Sequence, residues 1–335
     1  MSDPYSIQIK FFNEVKSKIS PNLVLVDVVA DALNLSIDSA YRRIRGETSL
    51  SLEELRKLCT QFGISLDALI TGTSDSILFS YRAVKPEKFD YNAWLVSIID
   101  NMKALSLYNL KEIIYGAKDI PLFYFFMMPG LAAFKLFFWM RNINVFPGLE
   151  ELYFDPKVIT GDTLKLAKSV WLSYLTIPSI EIWSYEAIAI TLRQVDYYYF
   201  SGRFKNKKDA LELLDEYKSV IRHVQKQAES GCKFLMGEKP SVVENNFQLY
   251  LNEVIIMDNT VYFKMGDFNM VHLAHNVMNI LSTTDPVFCQ DTHFMLSNLM
   301  KNSTLISSYS EKERNRFFNS MYRKIEEVTE KIIKN

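Results

Sequence analysis

Arg42, Arg43 and Arg45 stand within four positions of one another, in the run Tyr41-Arg-Arg-Ile-Arg-Gly-Glu47. A guanidinium presents a fixed fork of donors that matches the paired acceptors of guanine or the oxygens of a phosphate. Arg42 is placed to bond guanine or grip a phosphate, and Arg43 and Arg45 to hold phosphates, which sets position without reading sequence. Upstream, Asp38 can accept from a cytosine amino group, and Tyr41 can pack on a thymine methyl or bond a phosphate. Ser36, Ile37 and Ser39 complete the candidate DNA-binding set.

These side chains need a short helix held outward by a small core. Val26 to Leu33 reads as an apolar helix, with Ala30 small enough to let two helices cross closely. Asn34 falls at the turn, where positive φ is tolerated by Asn. Ser36 is placed to cap the second helix, with Ala40 and Ile44 holding it inward and Gly46 stopping it. Ser51-Leu-Glu-Glu54 is a capping-box signature ahead of an apolar face of Leu52, Leu55 and Leu58. A fifth helix is expected from Ser65, and an opening helix over Ser6 to Ile19, where Ile7, Phe11, Val15 and Ile19 recur four apart.

This order of residues resembles the Cro/phage-repressor-like (XRE-type) helix-turn-helix family. The resemblance is carried by Ala30, Ser36, Arg45-Gly46, Ser51-Leu52, Leu55 and Gly63-Ile64-Ser65-Leu66-Asp67-Ala68-Leu69, and it covers roughly residues 6–70. Tyr41–Glu47 also resembles a variant found in large regulators of Bacteroides-type bacteria. The resemblance implies a sequence-specific transcriptional regulator acting on double-stranded DNA as a homodimer. Asn34 stands where the family usually has Gly, and Ile37 and Asp38 where it often has Gln, so no base preference carries over.

The charge balance limits how such a domain could hold DNA. The 335 residues carry a net −1, and the first 75 hold 8 Lys and Arg against 10 Asp and Glu, a local −2. General phosphate attraction is therefore weak, and contact must use the arginine patch. Cys59, Cys232 and Cys289 are odd in number and far apart, which suits reduced thiols and a cytoplasmic location. The opening residues lack the pattern of a signal peptide. Ile120–Met140 is 21 residues with Lys135 as its sole charge, long enough to be weighed as a membrane span. Pro129-Gly130 interrupts it, which favours a buried helical hairpin and no membrane.

The rest of the chain declares fold before function. Thr71 to Ser76 reads as a linker, giving a helix-turn-helix domain at 1–72 and a helical sensing or dimerisation region at 77–335, with a sub-boundary near 231–241. Helices are expected at 91–108, 109–116, 120–128, 131–143, 162–175, 180–200 and 207–230. Alternation at Phe247, Leu249 and Leu251, then Val254-Ile255-Ile256, then Val261-Tyr262-Phe263 beyond Asp258-Asn259, predicts one β-hairpin. The expected class is thus mainly α. Ser310-x-x-Glu313 reads as a capping box ahead of a stripe at Phe318, Met321, Ile325, Val328 and Ile332, spaced for packing on its own domain or for dimerisation.

Other constellations carry less. His272 and His275, with Asp291 and His293 downstream, fall short of a zinc ligand set. No phosphate loop or nucleophile elbow is present, so no enzyme and no cofactor is expected. Glu181, Glu186 and Asp196 read mostly as solvated or salt-bridged. Trp171, Tyr174, Trp183, Tyr185 and Tyr197 are core or the wall of a ligand pocket for a small-molecule or protein effector. The alternatives to a regulator are an interaction scaffold without specific DNA binding, and a membrane-associated sensor.

Overall fold

The computed structural model of the chain describes residues 6–19, 23–64, 66, 77–81, 85, 89–149, 152–240, 245–254, 258–276 and 278–335. Contacts divide the chain into two compact units, Met1–Leu78 and Phe79–Asn335. The linker expected at 71–76 and most of the fifth helix expected from Ser65 lie outside the described residues.

The first unit holds α1 (Ser6–Lys18), α2 (Leu25–Leu33), α3 (Ile37–Ile44) and α4 (Leu52–Phe62). Phe11, Phe12 and Val15 of α1 meet Val26, Val29, Ala30 and Leu33 of α2, Ala40 of α3 and Leu58 of α4 in one apolar cluster. The turn after α2 closes through Asn34 at φ 54°, with the Leu35 N–H bonding the Ala30 carbonyl at 2.9 Å, a left-handed helix stop of the kind Asn or Gly supplies. The Ser51–Glu54 capping box forms in full. Leu52 departs from the expected apolar face and is 84% exposed, because the first turn of α4 points its N1 residue to solvent.

The second unit corrects the mainly-α reading. It is an α/β structure around an eight-stranded mixed sheet: β1 (Ser80–Tyr81), β2 (Lys111–Ala117), β3 (Ser179–Trp183), β4 (Phe247–Leu251), β5 (Thr260–Met265), β6 (Phe268–Ala274), β7 (Ile280–Thr283) and β8 (Thr304–Leu305), in the order β1-β7-β6-β5-β2-β3-β4-β8. Strands β2, β3 and β4 run parallel, and the other pairs are antiparallel. The helices are α5 (Tyr91–Ser106), α6 (Leu122–Phe125), α7 (Pro129–Phe138), α8 (Gly161–Leu175), α9 (Ala189–Phe200), α10 (Lys207–Ser230), α11 (Pro286–Lys301) and α12 (Glu311–Lys334), with a π-helical turn at Trp139–Ile143. Ile114, Ile182, Tyr262 and Val271 pack under Cys289 and Leu296 of α11. The opposite face, with Ile113, Tyr115, Trp183, Leu249 and Phe263, joins the main core formed with the other helices.

Two expected helices are therefore strands. Residues 109–116 fall largely on β2, and the first part of 180–200 is β3. Both strands are covered on two faces: in β2 the residues Ile113 to Ala117 run on without the alternation that marks a half-exposed strand, whereas β3 alternates at Ile180-Glu181-Ile182 although Glu181 is buried as well. The expected hairpin does not form between its described strands, and Ile255 and Ile256 lie outside the described residues. Phe247–Leu251 is a strand, but it pairs with β3 and β8, whereas β5 pairs with β2 and β6. β5 joins β6 in a hairpin through Gly266 at φ 62°, and β6 in turn pairs antiparallel with β7.

Ile120–Met140 is core. Residues 123–125 of α6, residues 131–138 of α7 and Trp139 at the start of the π-helical turn are buried, and among the described residues no helix is long and apolar enough to cross a membrane. The α12 stripe also belongs to this core: Phe318, Met321, Ile325 and Ile332 are buried and Val328 packs beside them, facing α10 and α9. These side chains are inside the chain, not on a surface for a second copy. The expected Ser310 capping box does not form, because Ser310 adopts φ 55° and makes no side-chain cap, whereas a hydroxyl cap needs an extended backbone. The Arg314 guanidinium ties the preceding loop instead, donating to the Ile306 and Tyr309 carbonyls at 3.0 and 2.9 Å.

Candidate functional site

On α3, positions 37, 41 and 45 and positions 38 and 42 recur one helical turn apart and share a face. Ile37 and Tyr41 are 47% and 45% exposed, and Asp38, Arg42 and Arg45 are exposed with them. Ala40 faces the core with no exposure. Ser36 caps the helix, its hydroxyl accepting from the Ser39 N–H at 3.3 Å and donating to Ser39 Oγ at 2.9 Å. Both hydroxyls are thus engaged in starting the helix.

The three arginines have different surroundings. Arg42 pairs with Asp38 at 3.1 Å and Arg45 with Glu47 at 3.3 Å, all four side chains more than half exposed. Such pairs are weak in water and exchange readily for another anion. Arg45 also lies over the Tyr41 ring, 5.8 Å from its centroid. Arg43 differs from the phosphate role expected of it. Its guanidinium meets Glu54 at 2.7 Å, both side chains under a fifth exposed, and donates to the Ser39 carbonyl, while its own carbonyl accepts from Gln8 Nε2 at 2.7 Å. Burial pushes the Glu54 carboxyl up, but hydrogen bonds from Arg43 and the Ser51 N–H outweigh it and hold the pKa below the usual value. Arg43 therefore ties α3 to α4 and α1. Arg43→Ala is expected to remove about 1.5–3 kcal/mol, the range for a hydrogen bond to a charged group. Native-state hydrogen exchange of the α3 and α4 amides in the full chain checks this. Unchanged protection would contradict it.

The second unit contains a cavity of about 340 Å³. Its floor is the sheet: Val261, Phe263 and Met265 of β5 alternate onto one face and meet His272 and Met270 of β6 as direct cross-strand partners of the first two. Its roof is one face of α5, with Trp94, Ile98, Asn101, Met102 and Leu105 at helical spacing. The end wall comes from the expected membrane candidate, through Phe123, Phe125, Lys135 and Trp139. Lys135 is 1% exposed. Its ammonium donates to Gln194 Oε1 at 2.9 Å, Thr191 Oγ1 at 3.0 Å and Asp119 Oδ2 at 3.4 Å, and sits 3.9 Å from the centre of the Phe125 ring. Burial lowers the Lys135 pKa and raises that of Asp119, each against the pull of its partner.

None of the five aromatics expected to line a pocket lines this one. Trp171, Tyr174 and Trp183 are core, Tyr185 is half-buried, and Tyr197 is 57% exposed. Tyr124, Tyr174 and Trp183 surround Glu181, which is fully buried and accepts from all three at 2.7, 2.6 and 2.8 Å. This corrects the solvated reading of Glu181, whereas Glu186 and Asp196 do form exposed pairs with Lys324 and Lys331. His272 and His275 do not share a helix turn. His272 lies on β6, His275 follows it, and His293 of α11 meets the Tyr262 ring at a tilt, centroids 5.0 Å apart. Among the described residues no three metal-binding side chains converge.

Both histidines reach the cavity. The His272 imidazole rests edge-on to Phe263 and makes no hydrogen bond among the described residues. Burial lowers its pKa from 6.5 to about 4. The unfolded chain thus takes up this proton first, so the contribution is intact above about pH 6.5 and is lost as pH falls toward 4. His272→Gln is expected to flatten that part of the acid limb in denaturant titrations at stepped pH. An unchanged limb would show that the imidazole is not desolvated. Comparison with family models, with curated proteins and with solved structures finds no match for this chain.

Proposed function

We propose that the chain is a sequence-specific DNA-binding regulator whose first unit reads the major groove through α3. The observation that carries this is the single exposed face of Ile37, Asp38, Tyr41, Arg42 and Arg45 on a helix set one tight turn after α2. A helix so placed enters the groove by its first turns. Arg42 supplies a fork for guanine, and Ile37 and Tyr41 supply apolar contact for thymine methyls. Arg45 grips phosphate. Arg43 supports the helix from behind.

Two exposed arginines, each in a weak surface ion pair, in a domain of net −2 bind weakly alone, so the proposal includes a homodimer that places two such helices on successive half-sites. The second unit senses an effector and sets the dimer geometry, shifting occupancy by the effector's differential affinity for the two arrangements. Selection of bound duplexes from random DNA by the full chain tests the reading. The expected result is a recurring motif whose half-sites repeat at about 10–10.5 base pairs or a multiple. Recovery of duplexes with no common motif would overturn it.

A further inference from the structure

The cavity beneath α5 is shaped for a ligand and its charges already cancel. Lys135 is paired with Asp119 inside it, and Lys118 with Asp258 at 2.5 Å on its rim. The remaining titratable groups facing it are His272 and His275, and Tyr115 on β2. The rest of the wall is chiefly aliphatic, aromatic and thioether. A charged ligand would enter this space with no unpaired counter-ion and would lose its hydration, which is costly in an apolar site. An uncharged apolar ligand loses little on entry and gains the walls. About 340 Å³ falls within the usual range of small-molecule sites.

Among the described residues, the side chains of Asn101, His275, Trp139 and His272 in the cavity wall make no hydrogen bond; Asn101 and His275 are exposed, and of the other two only His272 can both donate and accept. The three donors of Lys135 are all taken up by Gln194, Thr191 and Asp119. His272, on the floor, meets Phe263 edge-on and makes no hydrogen bond among the described residues. A neutral imidazole offers one donor and one acceptor, so it can meet either a hydroxyl, an amine N–H or a carbonyl. We propose that this cavity binds an uncharged, largely apolar small molecule carrying a single hydrogen-bonding group, with His272 as the residue that bonds it. It deepens the effector role given to the second unit under the proposed function, but binding is measurable with no DNA present.

The probe is N-phenylnaphthylamine, an uncharged bicyclic aromatic with one N–H, set against its sulfonated anionic analogue anilinonaphthalenesulfonate on the full chain. The expected result is one site per chain with a Kd on the order of 10 μM for the uncharged probe, and affinity at least about tenfold lower for the anion. Ile98→Trp and Met270→Trp, which fill the cavity from its roof and its floor, should each weaken the probe by about tenfold or more. His272→Phe should weaken it by a smaller factor and abolish preference for the N–H probe over its N-methyl form. Circular dichroism identifies the variants that keep the fold. Equal affinity for both probes, or full affinity in a folded cavity-filled variant, would overturn the proposal, as would failure of the wild-type chain to bind. A chain that takes the probe but selects no DNA motif would sink the regulator reading alone.

Discussion

Lys135→Met is expected to destabilise the second unit by about 3–5 kcal/mol, the cost of removing one partner of a buried ion pair. Lys135 holds three acceptors from two directions, Asp119 beyond the end of β2 and Thr191 and Gln194 on α9. Methionine fills nearly the same volume, so a cavity is not the main cause. The loss comes from Asp119, buried and left without its cation. The double variant Lys135→Met/Asp119→Asn is therefore expected to recover most of the loss, since Asn retains an oxygen for the Ile120 N–H that Asp119 accepts at 3.0 Å. Urea unfolding of the two variants checks this. A single variant as stable as wild type, or a double variant no better than the single, would show that the pair does not act as one unit.

Arg42→Ala and Arg45→Ala are expected to leave the fold intact and weaken specific DNA binding by about 1–3 kcal/mol each. Their present partners, Asp38 and Glu47, are exposed and contribute little to stability. The two effects should differ in kind. Loss of Arg42 relaxes preference at one base pair, whereas loss of Arg45 weakens all sequences alike and reduces the salt slope by about 1. Fluorescence anisotropy at stepped salt separates them. Equal loss on every duplex for both variants would make Arg42 a phosphate contact.

The first unit was legible because its signals are local. Ser36, Asn34 and the Ser51–Glu54 box act within a few residues, and each does so in the structure. The partner of Arg43 was not legible, since Glu54 lies on another helix and only packing brings the two together. In the second unit, Ile113 to Ala117 carries no strand alternation because both faces of β2 are covered, and the alternation Ile180-Glu181-Ile182 of β3 is only three residues long. Their parallel pairing spans more than 60 residues, which no local pattern reports. One signal for the cavity was present: Lys135 is the sole charge in an otherwise apolar run, and such a residue in a core needs partners. Asp119 stands immediately before that run, whereas Thr191 and Gln194 come from a distant helix.

The central claim is that the exposed face of α3 reads base sequence. The most direct measurement is the affinity of the full chain, and of the folded Arg42→Ala/Arg45→Ala variant, for the selected duplex and for a scrambled duplex of equal length at one salt concentration. The wild-type chain is predicted to prefer the selected duplex by about a thousandfold or more, and the variant to lose most of that preference. Equal wild-type affinity for both duplexes, or a variant that discriminates as well as wild type, would contradict it.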